Sequence, residues 1–234
     1  MSLKGAVLEA NKKIIDSGLV QLTWGNVSAL EKRIGVVLIK PSGVNLNKIT
    51  EDDITSVSLR TGSVISGKKP SVDTPTHLVL YRNFKNIGAI VHTHSKFATA
   101  FAQANREILC LGTTHADYFC GSIPVVDQPD TKDIEDRYEE AIGESIVHFF
   151  LEKDIDPSYI PGALCPSHGV FCWGKDLEEA VKNAHVLEIL AEMAYYTHSL
   201  NQRFDSDRNS RLRKDIMNKH FFRKHGSKKY YGQV

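Results

Sequence analysis

The stretch Ile87–Ser95, IGAIVHTHS, runs from apolar residues straight into two histidines separated by one threonine. Side chains on a strand alternate faces, so His92 and His94 are expected to point the same way with α-carbons about 7 Å apart. Two imidazoles so placed can grip one ion, and a strand whose body is buried is a rigid mount for them. An H-x-H pair is also met as two hydrogen-bonded residues at a sheet edge, and the spacing alone does not choose. Two more candidates add weight to the metal reading. His168, in PSHGVF, stands before Gly169, where the chain can turn sharply before an apolar segment. Asp73 immediately precedes a Thr74-Pro75 helix start. Three neutral imidazoles and one carboxylate suit zinc or a similar divalent ion, with a substrate oxygen completing the shell. Asp73 keeps a simpler explanation as well, because an acid near a helix N-terminus is favoured by the dipole.

A second constellation is polar and glycine-bearing: TWGNVS (23–28), KPSGV (40–44) and KPSVD (69–73). Small residues that let backbone N–H groups face inward, beside Ser, Asn and Lys, suit a phosphate. Taken singly, each stretch is more often an ordinary turn. GTTHADYF (112–119) gathers His115, Asp117 and Tyr118, and the chain ends KKYYGQV. An Asp and a Tyr can exchange protons with a substrate hydroxyl lying between them. Taken as residues alone, Tyr230 and Tyr231 read as a frayed tail.

Positioning these groups requires a folded scaffold. The 234 residues, 41% hydrophobic and 24% charged, are enough to bury a core in one domain spanning 1–234. A net charge of +1 creates no whole-chain field for nucleic acid or anionic lipid, which points to a small-molecule partner. Four cysteines without C-x-x-C spacing, no recognisable signal peptide and no apolar run of membrane length predict a soluble cytoplasmic protein with free thiols.

Leu3, Val7, Ala10 and Ile14 recur at helical spacing and predict a helix over 3–17. GVVLIKP (35–41) reads as a strand. A helix is expected from a Thr74 N-cap to about Phe84, then strand IGAIVHTH and helix SKFATAFAQA. A short strand IPVVD and a helix from Ile134 to Lys153 follow. PGALCPSHGVFCWG reads as strand, loop and strand. Asp176 then caps a long helix whose stripe is Ala180, Ala184, Leu187 and Leu190, and a basic tail is helical through Phe222. Without a clean βαβ repeat, an α/β fold with a mixed or antiparallel sheet and flanking helices is expected.

Together, LTWGNVS, IKPSGV, KPS-x-DTPTH, IVHTHS, GTTHADYF, SHG-x-F-x-WGK and KHG-x-K-x-YYGQ resemble the class II aldolase and adducin-head family, and within it the L-ribulose-5-phosphate 4-epimerases. The resemblance runs from Leu8 to Gln233. It implies an α/β/α sandwich on a largely antiparallel sheet, a homotetramer with active sites between subunits, and a sugar-phosphate substrate. The metal ligands it implies are Asp73, His92, His94 and His168, holding Zn2+ or, alternatively, Mn2+ or Co2+. The phosphate pocket falls on Gly25, Asn26, Ser42, Gly43, Ser71 and Val72, where Val72 departs from a pattern that often carries a second serine. The proton-handling pair falls on Asp117 and, from the adjacent subunit, Tyr231, with His220 near the substrate.

The implied reaction inverts C4 of L-ribulose 5-phosphate by breaking and re-forming the C3–C4 bond, giving D-xylulose 5-phosphate, a step of arabinose and ascorbate breakdown. The resemblance leaves two alternatives. One is an aldolase releasing dihydroxyacetone phosphate and an aldehyde; siblings of that kind carry a glutamate in the region of Asp73. The other is a non-catalytic adducin-head-like binding domain, which predicts loss of the metal ligands.

Overall fold

The computed structural model describes residues 1–45, 48–203, 211–225 and 229–231, with the side chains of residues 202 and 203 left aside. The chain opens on α1 (Leu3–Asp16), started by Ser2, whose Oγ accepts the Gly5 N–H at 2.9 Å. Strands β1 (Gly25–Glu31), β2 (Val36–Ile39), β3 (Thr55–Ser58) and β4 (Val64–Ser66) follow, with a 3-10 turn at Glu51–Asp53 before β3. Then come α2 (Thr74–Asn83), β5 (Ala89–Thr93), α3 (Lys96–Gln103), the one-turn α4 (Thr113–Ala116) and α5 (Thr131–Glu152). Strands β6 (Gly162–Cys165) and β7 (Gly169–Gly174), α6 (Leu177–Arg203) and α7 (Lys214–His225) complete it.

Seven strands form one sheet in the order β4-β3-β2-β1-β5-β7-β6, and every neighbouring pair is antiparallel. The α/β architecture expected from the sequence is the one observed. On one face, Trp173 of β7 is packed by Phe84 at the end of α2 and Phe150 of α5, with ring centroids 5.1 and 5.3 Å away. The other face is covered by α6, whose Leu187 lies against Gly162, while α1 and α3 pack beside it. Covered on both sides, β5 is buried at all five positions, so its sequence AIVHT has no alternation to show. Ala180, Ala184, Leu187 and Leu190 are all buried, as the stripe on α6 predicts.

Several boundaries differ from expectation. Asp73, not Thr74, is the N-cap of α2, which places Pro75 one position further in. IPVVD makes only isolated bridges, Ile123 with Ile108 and Val125 with Leu164, because it crosses the edge of the sheet instead of joining a ladder. TWGNVS is half strand: Gly25 begins β1. Strands β3 and β4 were not legible, since TSVS and VIS are too short for a period to emerge. Helix α5 starts at Thr131 and is broken at Arg137, where φ is −153°.

Candidate active site

The register decides what surrounds His92. In β5 it lies opposite Asn26 of β1 and Phe171 of β7, so the three side chains form one row across the sheet. Phe171 stacks on the His92 ring at 4.2 Å and 19°. His94 sits just beyond the last residue of β5, in the turn that leads to α3. That turn is fixed by Glu188 of α6, which accepts Ser95 Oγ at 2.7 Å and the Phe97 and Ala98 N–H groups at 2.9 Å. His168 arrives from the β6–β7 turn, where Ser167 takes φ 57°, a left-handed conformation that non-glycine residues adopt at a cost. The residue after His168, Gly169, must be glycine for steric reasons. A Cβ on Gly169 would lie 2.7 Å from Thr93 O and within 3.4 Å of both the His94 and His92 rings.

Three imidazoles thus converge, with one nitrogen of each within 4.8 Å of the others. Their ring centroids are pairwise 4.9 Å apart. His92 Nδ1 must carry its proton, because its partner at 3.0 Å is the Val170 carbonyl, which can only accept. Nε2 is then a lone pair, and it faces His94 Nε2 at 3.1 Å. Burial lowers His92 to about 3, and lowers His94 and His168 as well, so all three rings favour the neutral, ligating form at neutral pH. Tetrahedral zinc with bonds near 2.0–2.1 Å spaces its nitrogens about 3.3 Å apart. His168 Nδ1 is also buried without a hydrogen-bond partner. The donor set therefore fits a divalent metal ion, and the carbonyl behind His92 is the kind of outer partner that fixes a ligand's tautomer.

Asp73 is placed beside this group but is not one of the three mutually close ligands. Its carboxylate makes no capping bond to α2; Oδ2 accepts Asn26 Nδ2 at 2.7 Å and Ser71 Oγ at 3.2 Å. Burial alone would push its carboxyl up, and the nearby His92, His77 and His168 with the Asn26 amide hold it below the usual range. The helix-dipole explanation leaves those side-chain bonds unaccounted for.

The polar segments meet at the same place. Pro41 bridges Pro70, Ser42 N donates to Lys69 O at 2.9 Å, and Ser71 N donates to Lys40 O at 3.0 Å, which joins KPSGV to KPSVD. Asn26 Nδ2 reaches Ser71 Oγ at 3.1 Å, so TWGNVS is the third member. Gly25 has no room for a side chain, since a Cβ there would be 2.6 Å from Val20 and 2.7 Å from His92 O. Gly43 turns with φ 62°, and Val72 is exposed. Lys40 entered the sequence reading only as the lysine of a polar segment and not among the phosphate-pocket residues that the resemblance implies. It is buried, its Nζ donates to Gly25 O at 3.1 Å, and burial lowers its pKa against the pull of Asp73. Tyr138, next to the break in α5, was also missed; its ring lies 5.9 Å from that of His168. Nothing in its local sequence distinguishes it from a helix-surface tyrosine.

Asp117 and the tail form a different cluster. Asp117 accepts Arg223 Nη2 at 2.9 and 3.0 Å, Arg223 Nε at 3.2 Å and His220 Nδ1 at 3.1 Å, and pairs with Lys224 at 3.3 Å. Tyr231 lies with its ring over Arg223 and Lys224 at 4.5 and 4.8 Å. Burial raises the Asp117 carboxyl, but Arg223, Lys224 and His220 together bring it below its ordinary value. Tyr118 and His225 border a cavity of about 290 Å³ that reaches Ile87 and Gly174. Ile87 lies at the far end of β5 from His92, five residues or about 16 Å away along an extended chain. Among the described residues no hydrogen bond or ion pair joins the Asp117 cluster to the three histidines.

A model of the class II aldolase and adducin N-terminal domain matches residues 5–195. The chain belongs to that family. Among solved structures, an L-fuculose 1-phosphate aldolase superposes with a TM-score of 0.77 at 21% identity, covering 93% of each chain. L-fuculose-1-phosphate aldolase from Thermus thermophilus gives 0.66 at 26% identity over 86% of this chain and 96% of its own. A sugar-phosphate aldolase from Thermotoga maritima gives 0.64 at 24% identity over 84% and 95%. The class II aldolase fold thus holds the sheet that carries β5 and β7. No helix among the described residues is long and apolar enough to cross a membrane.

Proposed function

We propose that this class II aldolase family member is a divalent-metal-dependent enzyme acting on a sugar phosphate, and that its reaction is the C4 epimerisation of L-ribulose 5-phosphate. The observation that carries the reading is the convergence of His92, His94 and His168, neutral by burial and within 4.8 Å of one another. Asp73 is the fourth candidate ligand, its carboxylate held by Asn26 and Ser71. A bound Zn2+, Mn2+ or Co2+ supplies fixed positive charge beside oxygens that become negative as a carbon–carbon bond breaks.

The chain's own groups do the rest. Gly25, Asn26, Ser42, Gly43, Ser71 and Val72 line the joined polar segments and would hold the phosphate by backbone and side-chain donors. Removing the proton of the C4 hydroxyl turns C4 into an aldehyde carbon, and the electrons of the C3–C4 bond stay with the unphosphorylated dihydroxyacetone half, C1 to C3. Rotation of the glycolaldehyde phosphate fragment and re-addition to its other face then gives D-xylulose 5-phosphate. Two proton carriers are needed, one for each face. Asp117, whose carboxyl is held ionised, and Tyr231 are the candidates, with His220 beside them. Their cluster lies away from the imidazoles of its own chain, so the reading requires a neighbouring copy, as in a homotetramer, to bring it across. Where the resemblance draws only Tyr231 from the adjacent subunit, this reading draws Asp117 and Tyr231 together from one subunit, because both contact Arg223 of the same chain.

A second reading is favoured by the structural neighbours described as fuculose-phosphate aldolases: cleavage with release of the two halves. The short, doubly hydrogen-bonded Asp73 supports the epimerase, because a carboxylate tied to Asn26 and Ser71 is a ligand or anchor more than a mobile base. Incubating metal-loaded protein with L-ribulose 5-phosphate and assaying both products separates them. D-xylulose 5-phosphate is expected; dihydroxyacetone and glycolaldehyde phosphate accumulating as fast as substrate disappears would reject epimerisation.

A further inference from the structure

The geometry points to Arg223 as the positioning residue that makes Asp117 and Tyr231 a single proton-transfer unit. Its guanidinium spans the Asp117 carboxylate, with Nη2 on both oxygens at 2.9 and 3.0 Å and Nε on one at 3.2 Å. The Cζ of the same group lies over the Tyr231 ring, 4.5 Å from its centroid. Its backbone carbonyl accepts the Tyr230 and Tyr231 N–H groups at 3.0 and 3.1 Å. One residue thereby fixes the carboxylate, the phenol ring and the backbone of the tail.

No other side chain at this place has the shape to do this. A planar fork matches a carboxylate edge-on while leaving its face free for an aromatic ring, which an ammonium cannot do. Lys224 adds charge, pairing with Asp117 at 3.3 Å and lying over Tyr118 and Tyr231. His220 and His225 meet Asp117 from the same helix, through its carboxylate and its carbonyl oxygen. His115 turns away to the Gly121 carbonyl. Arg223 is only partly buried, with side-chain exposure near 20%, so its role is geometric more than a large electrostatic contribution to stability.

This inference rests on the reading that Asp117 and Tyr231 carry the proton, and the experiment separates the two. Arg223→Met, Arg223→Lys, Asp117→Asn and Tyr231→Phe are prepared as the full-length metal-loaded protein. Bound metal, Tm, and kcat and KM for L-ribulose 5-phosphate are measured from acid to neutral pH. Arg223→Met is expected to lower kcat by about 100-fold, the scale of misplacing a reacting group by 1 Å, with KM and metal content kept. The acid limb of its kcat profile should also move to higher pH. Arg223→Lys should restore the limb but not kcat, because the charge returns without the fork. Should Asp117→Asn and Tyr231→Phe be slow while Arg223→Met has normal kcat and pH profile, the positioning role is overturned and the proton-carrier reading stands. Full activity in Asp117→Asn and Tyr231→Phe overturns both. If Arg223→Met fails to fold, Arg223→Lys decides alone: full recovery of kcat would overturn the proposal.

Discussion

The two clusters of this protein are built on opposite principles. The histidines stand on or beside β5 and β7, and His92 is backed by Phe171 and the Val170 carbonyl. Their positions are set by backbone register, and burial keeps their lone pairs available. The Asp117 cluster is assembled from a one-turn helix, α7 and a terminal segment, held by ion pairs among partly exposed side chains. A strand-mounted site can be rigid before anything binds, whereas a site made of charged side chains on a chain end gains most from what docks against it. The division suits a reaction in which one half of the substrate is held and the other half turns.

The comparison breaks most severely if the histidine site loses a ligand. His94→Asn should cut metal affinity by more than the roughly 10- to 100-fold that loss of an outer partner costs, and activity should fall with it. Metal content after dialysis and turnover measured on the same sample check this. On the other side, Tyr231→Phe is expected to retain its metal and lose about 100-fold or more in turnover, the scale of a lost general acid or base. Full turnover in that variant would remove the tail from the mechanism.

Gly169→Ala tests whether register and close packing set the histidine geometry. Its Cβ would crowd Thr93 O and two imidazoles. The variant should lose about 1–3 kcal/mol of stability, the usual cost of overpacking, and bind metal more weakly while the Asp117 cluster is untouched. Denaturant midpoints and metal titration read the two effects separately.

A pH-dependent effect, with no consequence expected at neutral pH, belongs to His115, buried two residues before Asp117. Its Nε2 donates to Gly121 O at 2.7 Å, and burial lowers its pKa from 6.5 to about 4. The unfolded chain therefore binds a proton that the folded one refuses between those values. Stability conferred by the neutral ring is complete above pH 6.5 and is lost as pH falls toward 4, by about 1.4 kcal/mol per pH unit. Urea midpoints at pH 7 and 5 for the wild type and His115→Gln should differ by that share.

How much could be read without coordinates differs between the clusters for the same reason that their construction differs. IGAIVHTHS announced both a strand and its load, because side-chain alternation is a local rule that two histidines in a row of apolar residues make visible. His168 was legible through its glycine. The burial of Lys40 and the place of Tyr138 were not, since burial of an ammonium and a ring set against His168 depend on segments about 17 and 30 residues away in sequence. Arg223 was equally hidden: a basic residue in a basic helix has no mark until its partner at position 117 is beside it.

Local chemistry along the chain therefore determined the element types, the candidate ligands and the polar segments, since caps, turns and apolar periods act over a few residues. Tertiary structure alone decided that Asn26, His92 and Phe171 share one row, that Asp73 turns to Asn26 instead of capping its helix, and that Asp117 belongs with the tail and not with the imidazoles. Those outcomes follow from strand register and from ion pairs between distant segments, whose energies depend on three-dimensional proximity and leave no local signature in the chain.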